Sequence, residues 1–319
     1  MNASRAAAVA AQTATPYEQA LAAGWLPIRE VARQTGVNAV TLRAWERRYG
    51  LVVPERTAKG HRLYTPAHVQ RIHTILTWLA RGVAVSQVKQ LLDAPANTVE
   101  AQVESDWQPL RRTLLKAIGE LAERQVDDIF NRVMALYPPS TLYEHLLQPL
   151  LAELEQRWQG QFGAQMERTF FFCWLRSKLG ARIYHNNRQL GGAPLLLVNQ
   201  SDLPLEPHLW LTAWLISSAD CPVEVFDWPL PNGELGLATE RLGARALLLY
   251  AGRALNLNTL PRLLAGCHGA KFIVGPAAVI HRADSTVTTP EIDELTWLDD
   301  PLAALQFLQQ SGLLQGYGA

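Results

Sequence analysis

The sequence predicts a multi-domain chain: an all-α winged helix-turn-helix head, a four-helix bundle and an α/β body. Three observations carry this. Two short helical stretches joined across Gly36 lead into a basic, glycine-centred hairpin. Apolar residues then recur at intervals of three and four over residues 107–190. From Pro194 onward, short strand-like runs alternate with helical stretches, the texture of a parallel sheet with crossover helices. The 319 residues suit two or three domains at about 150 residues each.

Residues 1–24 are rich in Ala and Thr and read as a mobile leader, with a helical extension through Tyr17–Ala22 as the alternative. The head spans 25–94. Its first helix runs from Ile28 and ends at Gly36. Asn38 is a good N-cap for a second helix, Ala39 to Tyr49, stopped by Gly50. Pro54 to Tyr64, with Arg56, Lys59, His61 and Arg62 around Gly60, suits a basic wing. Thr65-Pro66 starts a helix through Ala80 that Gly82 breaks, and Ser86 caps a short helix to Leu92. Residues 95–106 read as a polar linker and 107–190 as the bundle, with a break at Pro138-Pro139-Ser140. In 191–319, strands are expected at 195–198, 223–226, 246–250 and 271–274, and a last helix at 302–310.

Composition narrows the function. Apolar residues make up 48% and charged residues 18%, enough for packed cores. No apolar run approaches the roughly 18 residues that span a bilayer, so a cytoplasmic chain without a membrane partner is expected. The three cysteines, Cys173, Cys221 and Cys267, lie too far apart for a CxxC zinc or redox site. Cys267-His268 has no third ligand at useful spacing, so no metal site is expected. The formal net charge of zero hides an asymmetry. Residues 25–94 carry 11 Lys and Arg against 4 Asp and Glu, while residues 95–319 carry 17 against 24. A basic module on an acidic body points to polyanion binding.

The segment Thr41-Leu42-Arg43-Ala44-Trp45-Glu46-Arg47-Arg48-Tyr49-Gly50-Leu51 resembles the MerR family of transcription regulators. The resemblance continues through Pro54-Glu55-Arg56-Thr57, Gly60-His61-Arg62-Leu63-Tyr64 and Leu79-Ala80-Arg81-Gly82-Val83. A helix from Ala39 puts Thr41 and Arg43 near its N-terminus, where a recognition helix meets base edges, and Arg can bond a guanine bidentately. Arg47 and Arg48 lie a turn further on, within reach of phosphates. Arg56, Lys59, His61 and Arg62 add contacts that position without reading sequence. Tyr64 either packs under the wing or donates to a phosphate. With Asn38 these ten residues form the expected DNA-binding set. Val31, Val40, Leu42 and Trp45 are expected in the small core.

Within that family, the MlrA-like and CarH-like groups place a four-helix cap and a Rossmann-like cobalamin-binding fold after the head, and the order of elements here is similar. The resemblance implies that Trp158 and Glu167 occupy the cap positions that face the corrin, although Arg168 stands where a His belongs. Glu206-Pro207-His208 resembles the start of the cobalamin signature, in which the His ligates cobalt and the acid orients its ring. Leu211, Arg253 and Pro276 replace small residues of that signature, so side chains should crowd the nucleotide-tail channel. Glu206-Pro207-His208 also reads as a plain helix start, with an acid, then Pro at the first position, then His. That reading is preferred, which leaves Trp158, Glu167, Glu206 and His208 as vestigial cofactor contacts.

The expectation is therefore a sequence-specific, non-enzymatic transcription regulator of MlrA-like type, with no cofactor and no catalytic residues. The resemblance implies a homodimer on double-stranded promoter DNA, RNA polymerase engaged through the DNA, and a role in biofilm or extracellular-matrix genes. A protein or small-molecule effector would act on the C-terminal domain. A cobalamin-dependent, light-sensing repressor is the alternative.

Overall fold

The structure, a computed structural model, describes residues 16–93, 107–160, 162–201, 203–231, 233–283 and 292–314. Most of the expected leader (1–15) and the expected linker (within 94–106) lie outside these residues. Pro16–Ala22 forms a helix, α1, which is the alternative of the two readings of that stretch. The chain groups into two compact units. One takes the residues up to Leu114 together with Arg124–Leu146; the other takes Leu115–Glu123 and everything from Leu147.

In the first unit, β1 (Leu26–Pro27) leads directly into α2 (Ile28–Thr35), which Gly36 closes in the left-handed conformation that glycine adopts without steric cost. Next comes α3 (Ala39–Ala44), continued by one π-helical turn, Trp45–Tyr49. Strands β2 (Glu55–Arg56) and β3 (Arg62–Tyr64) form the wing, and β1 joins them in an antiparallel sheet of order β1-β3-β2. Helix α4 runs Pro66–Ala80 and α5 runs Val85–Asp93. Ser86 therefore lies one residue inside α5 and is not its cap. The start of α4 is a capping box with an unusual partner. His68 N donates to Thr65 Oγ1 at 3.3 Å, and the Thr65 backbone N–H donates to His68 Nδ1 at 3.2 Å. Burial holds the His68 imidazole below its usual pKa, in keeping with a ring that accepts through Nδ1.

The end of α4 and the start of α5 leave backbone groups without helical partners. Three side chains from later in the chain take them up. His145 Nε2 lies 3.0 Å from the Ala80 carbonyl oxygen. Trp107 Nε1 donates to the Gly82 carbonyl at 3.0 Å, and Val85 N donates to the Tyr137 hydroxyl at 3.2 Å. The Trp107 ring packs on Tyr137 (centroids 4.6 Å apart) and stacks on His145 (5.8 Å, 22° between planes). Trp107 is the first residue of α6 (Trp107–Gly119); Tyr137 and His145 follow α7 (Glu123–Met134). In the same region, Trp45 Nε1 donates to the Leu136 carbonyl at 2.8 Å. Trp45 is core, as expected, but its polar end is anchored 91 residues away in sequence.

Helix α8 (Pro139–Leu142) and a π-helical turn, Tyr143–Leu147, lead on to α9 (Gln148–Arg157) of the second unit, which is followed by the long α10 (Ala164–Asn187). The body then alternates β4 (Leu195–Asn199), α11 (Pro207–Ser218), β5 (Val223–Phe226), α12 (Glu234–Leu242), β6 (Ala246–Tyr250), α13 (Leu260–Leu263), β7 (Ala270–Val274), α14 (Pro276–Ala283), β8 (Leu295–Leu298) and α15 (Pro301–Gln310). All five strands are parallel, in the order β5-β4-β6-β7-β8. Leu196, Val198, Leu247, Leu249 and Ile273 form one apolar cluster with Leu235 of α12 and Leu260 of α13. Phe272 meets Phe307 of α15, ring centroids 5.7 Å apart. Helix α11 packs against the sheet, α10 and α15, which is why its sequence is apolar on every side.

The acidic stretch around Asp293–Asp300, which its charge suggests is a solvated face, contains the fifth strand. Leu295–Leu298 is an edge strand, paired on one side only, so charges at both its ends are tolerated. Asp300 caps α15 by accepting from Leu302 N and Ala303 N. Among the described residues no helix is long and apolar enough to cross a membrane, and no group of three or more His, Cys, Asp or Glu is placed to hold a metal ion. Burial pushes the Cys221 thiol up to about 11 and raises that of Cys267, so both behave as inert core residues.

Candidate nucleic-acid interface and switch-point crevice

Asn38 sets the start of the recognition helix: its Oδ1 accepts from Thr41 N at 2.9 Å. From there the 3.6-residue period divides the helix in two. Thr41, Leu42, Ala44 and Trp45 face the head's core, while Val40, Arg43, Arg47 and Arg48 face outward. This corrects two expectations. Thr41, expected at the base edges, is fully buried. Val40, expected in the core, is 56% exposed. Both follow from phase: a helix that seats Leu42 and Trp45 inward must bring Thr41 in with them and turn Val40 out.

The wing is pinned by a residue outside the expected set. Glu46 accepts from Arg56 Nη2 at 2.6 Å and from Arg62 Nε at 2.5 Å. Burial works to raise the Glu46 carboxyl, but the two guanidinium bonds outweigh it and hold it below the usual carboxylate range. Arg56 and Arg62 therefore tie both wing strands to the recognition helix. A single acid among Arg43, Arg47 and Arg48 is the signal that sequence offers for it. At the wing tip, Gly60 N donates to the Thr57 carbonyl at 2.8 Å, and Gly60 takes a φ of +80°, leaving Lys59 and His61 exposed. Tyr64 is buried beneath the wing, the first of its two expected placements. Burial first, then the Glu46 charge, pushes its phenol up to about 12.

In the second unit, the strand order changes direction between β4 and β6, which is where open α/β sheets bind ligands. Glu206 and His208 lie there. Glu206 is the N-cap of α11: its Oε1 accepts from His208 N at 3.2 Å and lies 3.1 Å from His208 Nδ1. The helix-start reading thus describes these residues, with Pro207 in the first turn. The His208 ring lies parallel to Tyr250, centroids 5.9 Å apart and 5° between planes. Tyr250 also packs on Gly275: a Cβ at Gly275 would stand 2.9 Å from Tyr250 Cζ. Leu211 is fully buried within α11. Sequence reasoning misses Tyr250, since by pattern it is only the last residue of a strand.

Trp158 and Glu167, expected at corrin-facing positions, bond to each other. Trp158 Nε1 donates to Glu167 Oε2 at 3.2 Å, and Arg157 Nη2 donates to Oε1 at 2.9 Å. Arg157 also donates to the Leu115 carbonyl and lies over Gly119, where a Cβ would stand 2.6 Å from Nη2. Arg168, in the place of the expected His, stacks its guanidinium over Phe172 at 5.4 Å.

The profile of the MerR HTH family of regulatory proteins matches residues 26–95, and that of the B12 binding domain matches residues 110–182. The HTH-type transcriptional regulator MlrA of Escherichia coli (strain K12) is 31% identical over 225 residues, covering 70% of this chain and 87% of the relative. The chain belongs to the MerR family. It is MlrA-like within that family, and its head is a DNA-binding transcription-regulator domain. The HTH-type transcriptional repressor CarH of Myxococcus xanthus is 33% identical over 141 residues, covering 41% of this chain and 47% of the relative. Among solved structures, the methanol:cobalamin methyltransferase complex MtaBC of Methanosarcina barkeri aligns over 72% of this chain and 89% of its own. That alignment is loose, with 15% identity and a TM-score of 0.32. All ten residues of the expected DNA-binding set fall inside the MerR-type head, and Trp158 and Glu167 fall inside the B12-domain match.

Proposed function

We propose that this MerR-family protein is a sequence-specific, MlrA-like regulator that binds promoter DNA as a homodimer, engages RNA polymerase through the DNA, and works without cobalamin. The reading rests most on the outward face of the recognition helix, where Arg43 and Arg47 are exposed beside a wing held by Glu46. Arg43 reads a guanine; Arg47, Arg48, Lys59 and His61 meet phosphates; Asn38 offers its amide N–H groups from the helix start. The MlrA-like resemblance extends the reading to biofilm or extracellular-matrix genes. The body serves as a dimerisation or effector-docking module.

Footprinting and salt titration test the DNA part. Arg43→Ala is expected to lower specific affinity by about 1–3 kcal/mol, the worth of one bidentate arginine–guanine pair. Lys59→Ala is expected to weaken all sequences alike and flatten the salt slope by about one unit. Unchanged operator preference in Arg43→Ala would move that residue to a phosphate or structural role.

For cobalamin, the Glu206–His208 pair has the form of an oriented ligand, but the residues around it do not fit the rest of the group. Tyr250 stands parallel to the His208 ring, Leu211 is fully buried in α11, and each Glu167 oxygen already accepts a hydrogen bond from Arg157 or Trp158. A second reading, a cobalamin-dependent light-sensing repressor, is favoured by the 3.1 Å Glu206–His208 contact, by the B12-domain match and by the likeness to CarH. Calorimetry of the full chain with hydroxo- and adenosylcobalamin in the dark separates the two. No submicromolar binding is expected, whereas binding that His208→Ala abolishes would overturn cobalamin independence and favour the second reading.

A further inference from the structure

We propose that Val40 is a specificity-determining residue that reads the C5-methyl group of a thymine in the base pair next to the guanine met by Arg43. Val40 lies in the first turn of the recognition helix and is 56% exposed, although Thr41 and Leu42, which follow it, are buried. Val40, Arg43 and Arg47 follow at i, i+3 and i+7, so the isopropyl group shares one face with the two exposed guanidinium groups. An open β-branched side chain has a poor helix propensity, and here it gains only partial burial in return. Its surroundings are cationic, so the complementary surface is a polyanion, and a recognition helix brings this face to the major groove.

The chemistry of the groove then narrows what Val40 can meet. Valine has no side-chain donor or acceptor, so it cannot read N7, O6, N6 or N4. The thymine methyl is the apolar feature of the major-groove edge. Distance fixes the register. Val40 precedes Arg43 by three residues, about 4.5 Å along the helix axis at about 1.5 Å per residue. The base-pair rise is about 3.4 Å. The two side chains therefore address neighbouring base pairs. This register rests on Arg43 reading a guanine; the methyl contact itself rests only on the exposure and chemistry of Val40.

The test uses the full chain and an operator selected from random DNA. Each thymine of one half-site is replaced in turn by deoxyuridine, which removes only the methyl group. One thymine, adjacent to the guanine that Arg43→Ala ceases to discriminate, should weaken wild-type binding about three- to fivefold when replaced, as expected for one buried methyl. Val40→Ala should weaken binding to the thymine operator by a similar factor and become indifferent to the substitution. Its salt slope should stay at the wild-type value and its thermal melt should not fall, because the side chain is outside the core and Ala is the better helix former. Arg43→Ala should keep the deoxyuridine effect, so that failure of the guanine reading and failure of the Val40 reading are separate results. The proposal is overturned if no thymine is sensitive in the wild type, or if Val40→Ala retains the full sensitivity.

Discussion

Trp107→Ala is expected to lower folding stability by about 3–5 kcal/mol, the range for truncating a buried Trp. Chemical denaturation of the full chain measures this. Trp107 is almost wholly buried, and it does two jobs at once. Its ring fills the space between Tyr137 and His145, and its N–H satisfies the Gly82 carbonyl at a helix end. Trp107→Phe separates the two. It keeps an aromatic ring but leaves that carbonyl without its donor, for an expected loss of about 1–3 kcal/mol. Tyr137→Phe, which leaves Val85 N unpaired, should fall in the same lower range. A Trp107→Ala variant within about 1 kcal/mol of wild type, the ordinary effect of a point substitution, would show that this cluster does not hold the head. The recognition helix is attached to the same region through Trp45 and the Leu136 carbonyl. A loosened cluster should therefore also weaken operator binding, whereas a substitution at the exposed face should affect binding alone.

That cluster marks the limit of what is legible in the sequence. The head can be read because local chemistry writes it. Asn38 caps, Gly36 and Gly50 stop, Pro66 starts, and each is observed in that role. The first four strands of the body can be read because a parallel sheet buried on both faces leaves continuous apolar runs. The fifth strand cannot, since four residues between Glu294 and Asp299 look like part of an acidic surface. Long-range partners are also hidden. Nothing in spacing pairs Trp107 with Gly82 or Trp45 with Leu136. Within the site, helical phase alone moves Thr41 inward and Val40 outward once Leu42 and Trp45 are taken as fixed core positions. Glu46 requires the wing to be folded back onto the helix before its role is visible.

Gly275→Ala is expected to destabilise the chain by two additive routes. Gly275 has a φ of +111°, a backbone conformation that side chains rarely adopt, and strain of that kind costs about 1–3 kcal/mol. An added Cβ would also stand 2.9 Å from Tyr250 Cζ and 3.0 Å from the Ala251 carbonyl oxygen, where overpacking costs a similar amount. A double-mutant cycle with Tyr250→Val apportions the two. Removing the ring should recover only the part that comes from the clash with Tyr250, giving a coupling of about 1–3 kcal/mol, and the strain should remain. The result bears directly on cofactor independence. Tyr250 keeps a bulky ligand from the space beside His208 as long as its ring stays packed against Gly275 and beside His208. Were Gly275→Ala neutral, with no coupling to Tyr250, the ring would be shown to yield to an added side chain. The crevice between β4 and β6 would then be open to a large planar ligand, and the cobalamin-independent reading would lose its main physical support.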